Sequence, residues 1–239
     1  IAELVDIQRK EFHRLDFSEV SVKLIEATGH VLPMLTQDMQ DEVIHVLEKK
    51  GVEVLLNTQV VDNDGNTLHL KDGSSIPTKT VIWAAGVKAV PFIANCGGEV
   101  DRGGRIIVDE HLRVEGSDRV FAIGDCAHFQ HGTERPVAPV ATQGALVCAR
   151  NIVHLLHGET QLETFQYKDM GTMATIGRGR AVIENGSFKM KGLLAWFAWM
   201  VVHLLRLSGA HTNITVCLKW FWNFVSGLRL GRIITNVEL

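Results

Sequence analysis

The first eighty residues alternate between two spacings of apolar positions. In IAELVDIQRKEF, Ile1, Leu4, Val5, Ile7 and Phe12 recur at helical intervals, which predicts a helix over 1–15. No capping residue opens it, so the pattern reads as a helix already under way and predicts further chain upstream. A strand over 20–26 follows, then a polar turn and a second helix through Gln40, Val43, Ile44 and Leu47. Lys49-Lys50-Gly51 closes that helix with basic charge and a glycine stop. After a short strand over 52–56, the turn signals Asp64-Gly65 and Asp72-Gly73 frame a strand meander ending at VIWAAG. Strand, helix and strand in this order predict a βαβ unit and an α/β fold with a parallel sheet.

Residues 81–150 carry the apolar stretches VIWAAGV, RIIVDEHLRV and VFAIGD, then a long helix over about 140–156 that His157-Gly158 ends. Beyond Gly158 the character changes. Residues 171–192 read as a small antiparallel piece with Asn185-Gly186 as its hairpin turn. The last fifty residues are apolar and aromatic, and no internal repeat is present.

Composition narrows the class. A hydrophobic share of 46% with 21% charged residues suits a folded chain. The net charge of −3 gives no argument for nucleic-acid binding. Cys96, Cys126, Cys148 and Cys217 are scattered without a CxxC pair, which argues against a zinc site or disulfide framework and for a reducing compartment. The first residues are charged and amphipathic, unlike a signal peptide.

Two acids end apolar strand patterns. Glu26 closes SVKLIE, where a dinucleotide fold places the acid that accepts the adenosine ribose hydroxyls and disfavours a 2′-phosphate. A surface Glu capping a strand is the alternative, which Glu26 by itself favours. Asp125 follows Phe121-Ala122-Ile123-Gly124. A carboxylate there can accept hydroxyl hydrogen bonds from a ribitol chain, each contributing roughly 1.5–3 kcal/mol. Gly124 lets backbone come close, small Cys126 and Ala127 continue that approach, and a helix beginning near Ala141 aims its N-terminus at an electron-rich group. A loop Asp capping a helix is the alternative. His128 and His131 read as solvated loop residues. Arg178 and Arg180 in GRGR could meet an anion or simply end a strand in solvent.

VIWAAGV, GGRIIVD, RVFAIGDCA, PVAPVATQGA, FQYKDMGTMATIGRGRAVIE and GLLAWFAWMVVHL occur in that order. With them the chain resembles the C-terminal portion of type II NADH dehydrogenases, single-subunit flavoproteins passing electrons from NADH to a membrane quinone. The resemblance implies an incomplete two-dinucleotide-binding-domain, Rossmann-like flavoprotein fold with a C-terminal membrane-associating helical hairpin. It divides the chain into a truncated NADH-binding domain (1–83), the C-terminal part of an FAD-binding domain (84–160) and a membrane-anchoring region (161–239). It implies FAD and NADH as cofactors. Gly124, Asp125, Cys126, Ala127, Ala141 and Thr142 match FAD-binding positions, and Glu26, Ala85 and Gly86 match NADH-binding positions. Pro139 stands where the family has the first glutamine of its flavin and quinone segment, so Gln143 is left as the quinone-site candidate. No general acid is identified. The glycine fingerprints of both dinucleotide sites are absent, since GTERP and GRGRA are not G-x-G-x-x-G. The expectation is that this chain alone binds FAD weakly and does not turn over.

LLAWFAWMVVHLLRL is too short to span a bilayer, which takes roughly 20 residues, and fits an interfacial helix. From Lys189 onward, six basic residues (Lys189, Lys191, Arg206, Lys219, Arg229, Arg232) face one acid, Glu238, which suits anionic lipid. Trp196, Trp199, Trp220 and Trp222 suit the headgroup level. A second helix is expected over 215–225, beyond Gly209. Burial of this hairpin against the protein body is the alternative. The expected location is peripheral, on the cytoplasmic face of the cell membrane, with a membrane quinone as partner, a homodimer allowed and no nucleic acid or metal. Two other readings compete. One is a related flavin disulfide or sulfide oxidoreductase with upstream cysteines; the other is an inactive membrane-attached fragment.

Overall fold

The computed structural model describes residues 1–14, 16–129, 136–207 and 209–226. The chain divides into two compact units, one of Ile1–Val81 with Gly171–Leu239 and one of Ile82–Met170.

The first unit contains the predicted βαβ. β1 (Val22–Ile25) and β2 (Val52–Leu55) pair in parallel with Val22 opposite Val52, and α2 (Gln37–Lys49) connects them. Met39, Val43 and Val46 form one helical stripe of α2 and are buried with Val31, Leu35, Ile176 and Val182. The expected helix over 1–15 is shorter: α1 spans Ala2–Glu11, buries no residue, and Leu15 lies outside the described residues. An antiparallel meander follows, β3 (Val60–Asn63), β4 (Thr67–Leu70) and β5 (Ser75–Pro77). Its turns are held by Asp64, which accepts the N–H groups of Asn66 and Thr67, and by Asp72, which accepts that of Ser74. The meander ends at Pro77 and does not continue into VIWAAG. That run has strand propensity, yet among the described residues no neighbour pairs with it, and Ile82 and Trp83 stay exposed.

The same unit takes in β8 (Thr172–Thr175), β9 (Ala181–Asn185) and β10 (Phe188–Gly192), antiparallel in the order β10-β9-β8. Lys189 and Lys191 reach α2 from one face of β10, ion-paired with Asp38 at 2.6 Å and Glu42 at 2.8 Å. The match is geometric. Alternate strand residues repeat every ~6.7 Å, and helix positions four apart every ~6 Å. α4 (Leu193–Leu205) packs on this sheet through fully buried Ala195, and α5 (Ala210–Ser226) follows.

In the second unit a 3₁₀ turn (Pro91–Cys96) precedes β6 (Ile106–Val108), which pairs in parallel with β7 (Ala127–Phe129). Ile106, Val108, Val114 and Ala127 form its buried core. α3 (Ala138–Leu156) starts at Ala138, earlier than expected, because Pro139 suits a first helical turn. VFAIGD is not the strand its apolarity suggests. Phe121 makes one bridge to Arg113, Ile123 is extended, and Gly124–Cys126 is a 3₁₀ turn leading into β7.

Candidate functional site

Gly124 has φ +68, and a Cβ on it would lie 3.2 Å from the Cβ of Ala141. Glycine therefore lets the turn settle against the first turns of α3. Asp125, next in that turn, is exposed, and its carboxylate has no partner among the described residues. The thiol of Cys126 donates to the Ile123 carbonyl at 3.2 Å, and Ala127 is buried. The structure thus brings Gly124, Asp125, Cys126, Ala127 and Ala141 together.

The start of α3 offers fewer donors than expected. Pro139 has no N–H, and those of Val140 and Ala141 both reach the Val137 carbonyl, at 3.0 and 3.3 Å. Among the described residues, only the N–H of Ala138 is left from the first turn. The Thr142 hydroxyl donates back to the Ala138 carbonyl at 2.9 Å. Gln143 is also engaged: its amide donates to the Lys168 carbonyl and accepts the Lys168 N–H, both at 3.0 Å. It ties the segment before β8 to α3.

Sequence reasoning missed a pair of carboxylates around β6. Asp101 accepts the N–H groups of Gly103 and Arg105 through one oxygen and the Arg105 guanidinium through the other. Asp109 repeats the arrangement with His111 and Arg113. The signal was available as two Asp-x-x-x-Arg turns flanking one apolar triplet. Burial works to raise the Asp101 carboxyl, but the hydrogen bonds from Arg105 and Gly103 outweigh it and hold it below the usual carboxylate range. His128 joins this cluster, its Nδ1 lying 3.1 Å from the Arg105 guanidinium. It is therefore held in a polar cluster and is not merely solvated. Asn151, fully buried in α3, was also missed; it binds the His111 carbonyl and both backbone groups of Glu163. His131 lies outside the described residues.

In the first unit, Glu26 extends the β1–β2 pairing, its N–H donating to the Leu55 carbonyl at 2.9 Å. One carboxylate oxygen accepts the N–H and hydroxyl of Thr28, at 2.8 and 2.9 Å. The other oxygen has no partner among the described residues. Ala85 and Gly86, in the second unit, lie in an exposed irregular segment, with Gly86 at φ +86. Arg178 and Arg180 occupy the turn between β8 and β9, where the Arg180 N–H donates to the Gly177 carbonyl.

The tryptophans divide between roles. Trp196 packs against the cluster of Ala181, Ile183 and Ala195. Trp199 stacks on His203 at 3.9 Å and on Trp220 at 6.0 Å, joining α4 to α5, while Trp222 is exposed. Lys189 and Lys191 are in ion pairs, so Arg206 and Lys219 are the exposed cations of the described hairpin; Arg229 and Arg232 lie outside the described residues. No helix among the described residues is long and apolar enough to cross a membrane. Among the described residues no group of three His, Cys, Asp or Glu is placed to hold a metal.

Known proteins resemble this chain over most of its length. The family model of the pyridine nucleotide-disulphide oxidoreductases matches residues 10–145. A type II NADH:quinone oxidoreductase of Mycobacterium tuberculosis, NdhA, is 37% identical over 94% of this chain, and a second from that organism, Ndh, is 35% identical over 100%. The chain spans about half the length of these relatives, 50% and 53%. The fold is that of NDH2 from Plasmodium falciparum, solved in complex with NADH, with a TM-score of 0.83 at 19% identity over 98% of this chain and 63% of that one.

Proposed function

The chain belongs to the pyridine nucleotide-disulphide oxidoreductase family, and on that premise we propose that its protein oxidises NADH through FAD and reduces a membrane quinone by two electrons. The observation that carries the reading is the Asp125 carboxylate, without a partner among the described residues, on a glycine turn seated against α3. FAD, when bound, supplies the hydride chemistry between NADH and quinone. Asp125 accepts hydrogen bonds from its ribitol hydroxyls, and Gly124, Cys126 and Ala127 leave room for close approach. The residues fit this group in part: the acceptor and the small residues are present, while Pro139 removes one donor and Thr142 spends its hydroxyl on α3. Ala141 therefore contributes shape and helix-end potential more than a hydrogen bond.

Glu26 receives the adenosine ribose of NADH on its second oxygen while Thr28 steadies the first. Ala85 and Gly86 belong to the crossing between an NADH-binding domain (1–83) and an FAD-binding domain (84–160). Gln143 acts at the quinone site by holding Lys168 in place, with its remaining amide capacity open to the ligand. Residues 161–239 anchor the protein peripherally on the cytoplasmic face of the membrane through the α4–α5 hairpin, with Trp222 at the headgroup level. Trp199 and Trp220 stiffen that hairpin from within, while Trp196 ties α4 to the sheet.

The test uses the intact protein. NADH should bleach its bound flavin, and a quinone should restore the colour. Asp125→Ala should weaken FAD retention about 10-fold or more, the loss of one charge-assisted hydrogen bond. A flavin-loaded protein whose NADH-reduced flavin passes electrons to a disulfide and not to a quinone would overturn the proposal.

A further inference from the structure

The GRGR turn has no part in the redox reading, yet it is built with care. Gly177 stands at φ +119, and a Cβ there would meet the Glu3 carboxylate at 2.5 Å and the Lys50 ammonium at 2.8 Å. Glu3 binds Lys50 at 2.6 Å and accepts the Arg178 N–H at 2.7 Å. The turn is thereby seated on an ion pair and fixed against the end of α2. Between them lies a cleft of about 420 Å³ lined by His45, Lys49, Lys50, Arg178, Arg180 and Glu42, among others. Glu42 is the lining carboxylate, and Lys191 already binds it at 2.8 Å. Lys49 has no ion-pair partner among the described residues, and Arg180 makes no ion pair within 4 Å there, although its charge and that of His45 help Lys191 hold the Glu42 carboxyl below the usual carboxylate range. The cleft thus brings four cationic side chains, Lys49, Lys50, Arg178 and Arg180, around one lining carboxylate, on a scaffold that is pinned beforehand.

Position gives the ligand its character. A Cβ on Gly192 would lie 3.8 Å from the Arg180 guanidinium, and one on Gly179 would lie 3.5 Å from Leu193. The cleft therefore adjoins the start of α4, where Leu193, Leu194 and Phe197 are exposed. Cations beside exposed apolar side chains match the boundary between phosphates and acyl chains at a lipid surface.

We infer that the cleft between α2 and the β8–β9 turn binds a phosphate group, presented foremost by an anionic lipid headgroup. The lipid source rests on the proposed membrane placement of the α4–α5 hairpin; the phosphate chemistry does not. The test compares the intact protein with Lys49→Gln/Arg180→Gln, and with Lys10→Gln/Lys71→Gln as an equal loss of exposed charge elsewhere in the same unit. Binding is measured to phosphatidylcholine vesicles with and without one-third phosphatidylglycerol, and to inorganic phosphate without vesicles. On the anionic vesicles the cleft variant should bind about 30-fold more weakly, from two surface cations. The control variant should change far less, and both should bind zwitterionic vesicles as the unaltered protein does. Saturable phosphate binding that only the cleft variant loses, with vesicle binding unchanged, would keep the site and assign it a soluble phosphate ester. Equal losses in the two variants, or no loss in either arm, would overturn the site. If the unaltered protein binds neither kind of vesicle, the hairpin placement fails on its own, and the phosphate arm decides the cleft.

Discussion

Lys189 and Asp38 lie 151 residues apart, yet their side chains meet at 2.6 Å. The hydrogen bond from Lys189, helped by the Thr36 hydroxyl, takes the Asp38 carboxyl from its usual 3.8 down to about 2. Because the folded value is depressed, the pair's contribution to stability is present above about pH 4 and is lost as pH falls through about 2. Carboxyl-carbon NMR should show Asp38 titrating near 2, and Lys189→Met should move the midpoint up toward 3.8. A midpoint that ignores the substitution would show that Lys189 does not hold the carboxylate. The pair also marks a limit of reading residues one at a time. The excess of basic residues after position 189 was plain in the sequence and suggested lipid, but the partners of Lys189 and Lys191 sit on α2, far away in the chain. Gln143 is similar. Its type and place were legible, but its backbone partner at Lys168 was not, because nothing local links a helix to the loop that returns beside it.

At the scale of elements, legibility followed how local the determinants are. α2 could be read with its stripe and its basic end, because both lie within thirteen residues. The Asn185-Gly186 hairpin could be read from its turn. VIWAAG could not, because its strand propensity has no ladder among the described residues to join. That β8–β10 would share a unit with the first eighty-one residues was also hidden, since Val182 and Ile176 reach the α2 core only through folding. Glycines separate local from non-local demands within that small sheet. Gly171 has φ +80, and a Cβ there would lie 2.6 Å from the Glu184 carbonyl oxygen, which is backbone and cannot swing away. Gly186 has φ +57 and open space around it. Gly171→Ala should therefore destabilise the first unit by about 3 kcal/mol, and Gly186→Ala by about 1 kcal/mol, the backbone strain alone. Denaturant unfolding of the two variants checks this; equal losses would mean that the close approach at Gly171 relaxes freely.

For the whole molecule, the proposed function requires a water-soluble reductant and a lipid-soluble acceptor to reach one protein. α4 has thirteen residues and α5 seventeen, lengths of ~20 and ~26 Å, short of a ~30 Å hydrocarbon core. As far as the described residues go, these helices are too short to span, and the leucines they expose suit the surface of a bilayer. Leu194, Leu205 and Leu218 are 72%, 77% and 62% exposed, so charge at these positions breaks no packing seen in the fold. Under the proposed function, replacing all three by Glu should leave NADH oxidation by a water-soluble acceptor such as ferricyanide unchanged. The same variant should reduce a long-chain quinone embedded in vesicles at least about 10-fold more slowly, because three apolar contacts with lipid become repulsive there. The two acceptors separate the outcomes. Loss of both rates would mean that the substitutions damage the fold or the flavin site. An unchanged rate with the embedded quinone would mean that the hairpin faces something other than the membrane, since the acceptor would then be reached without it.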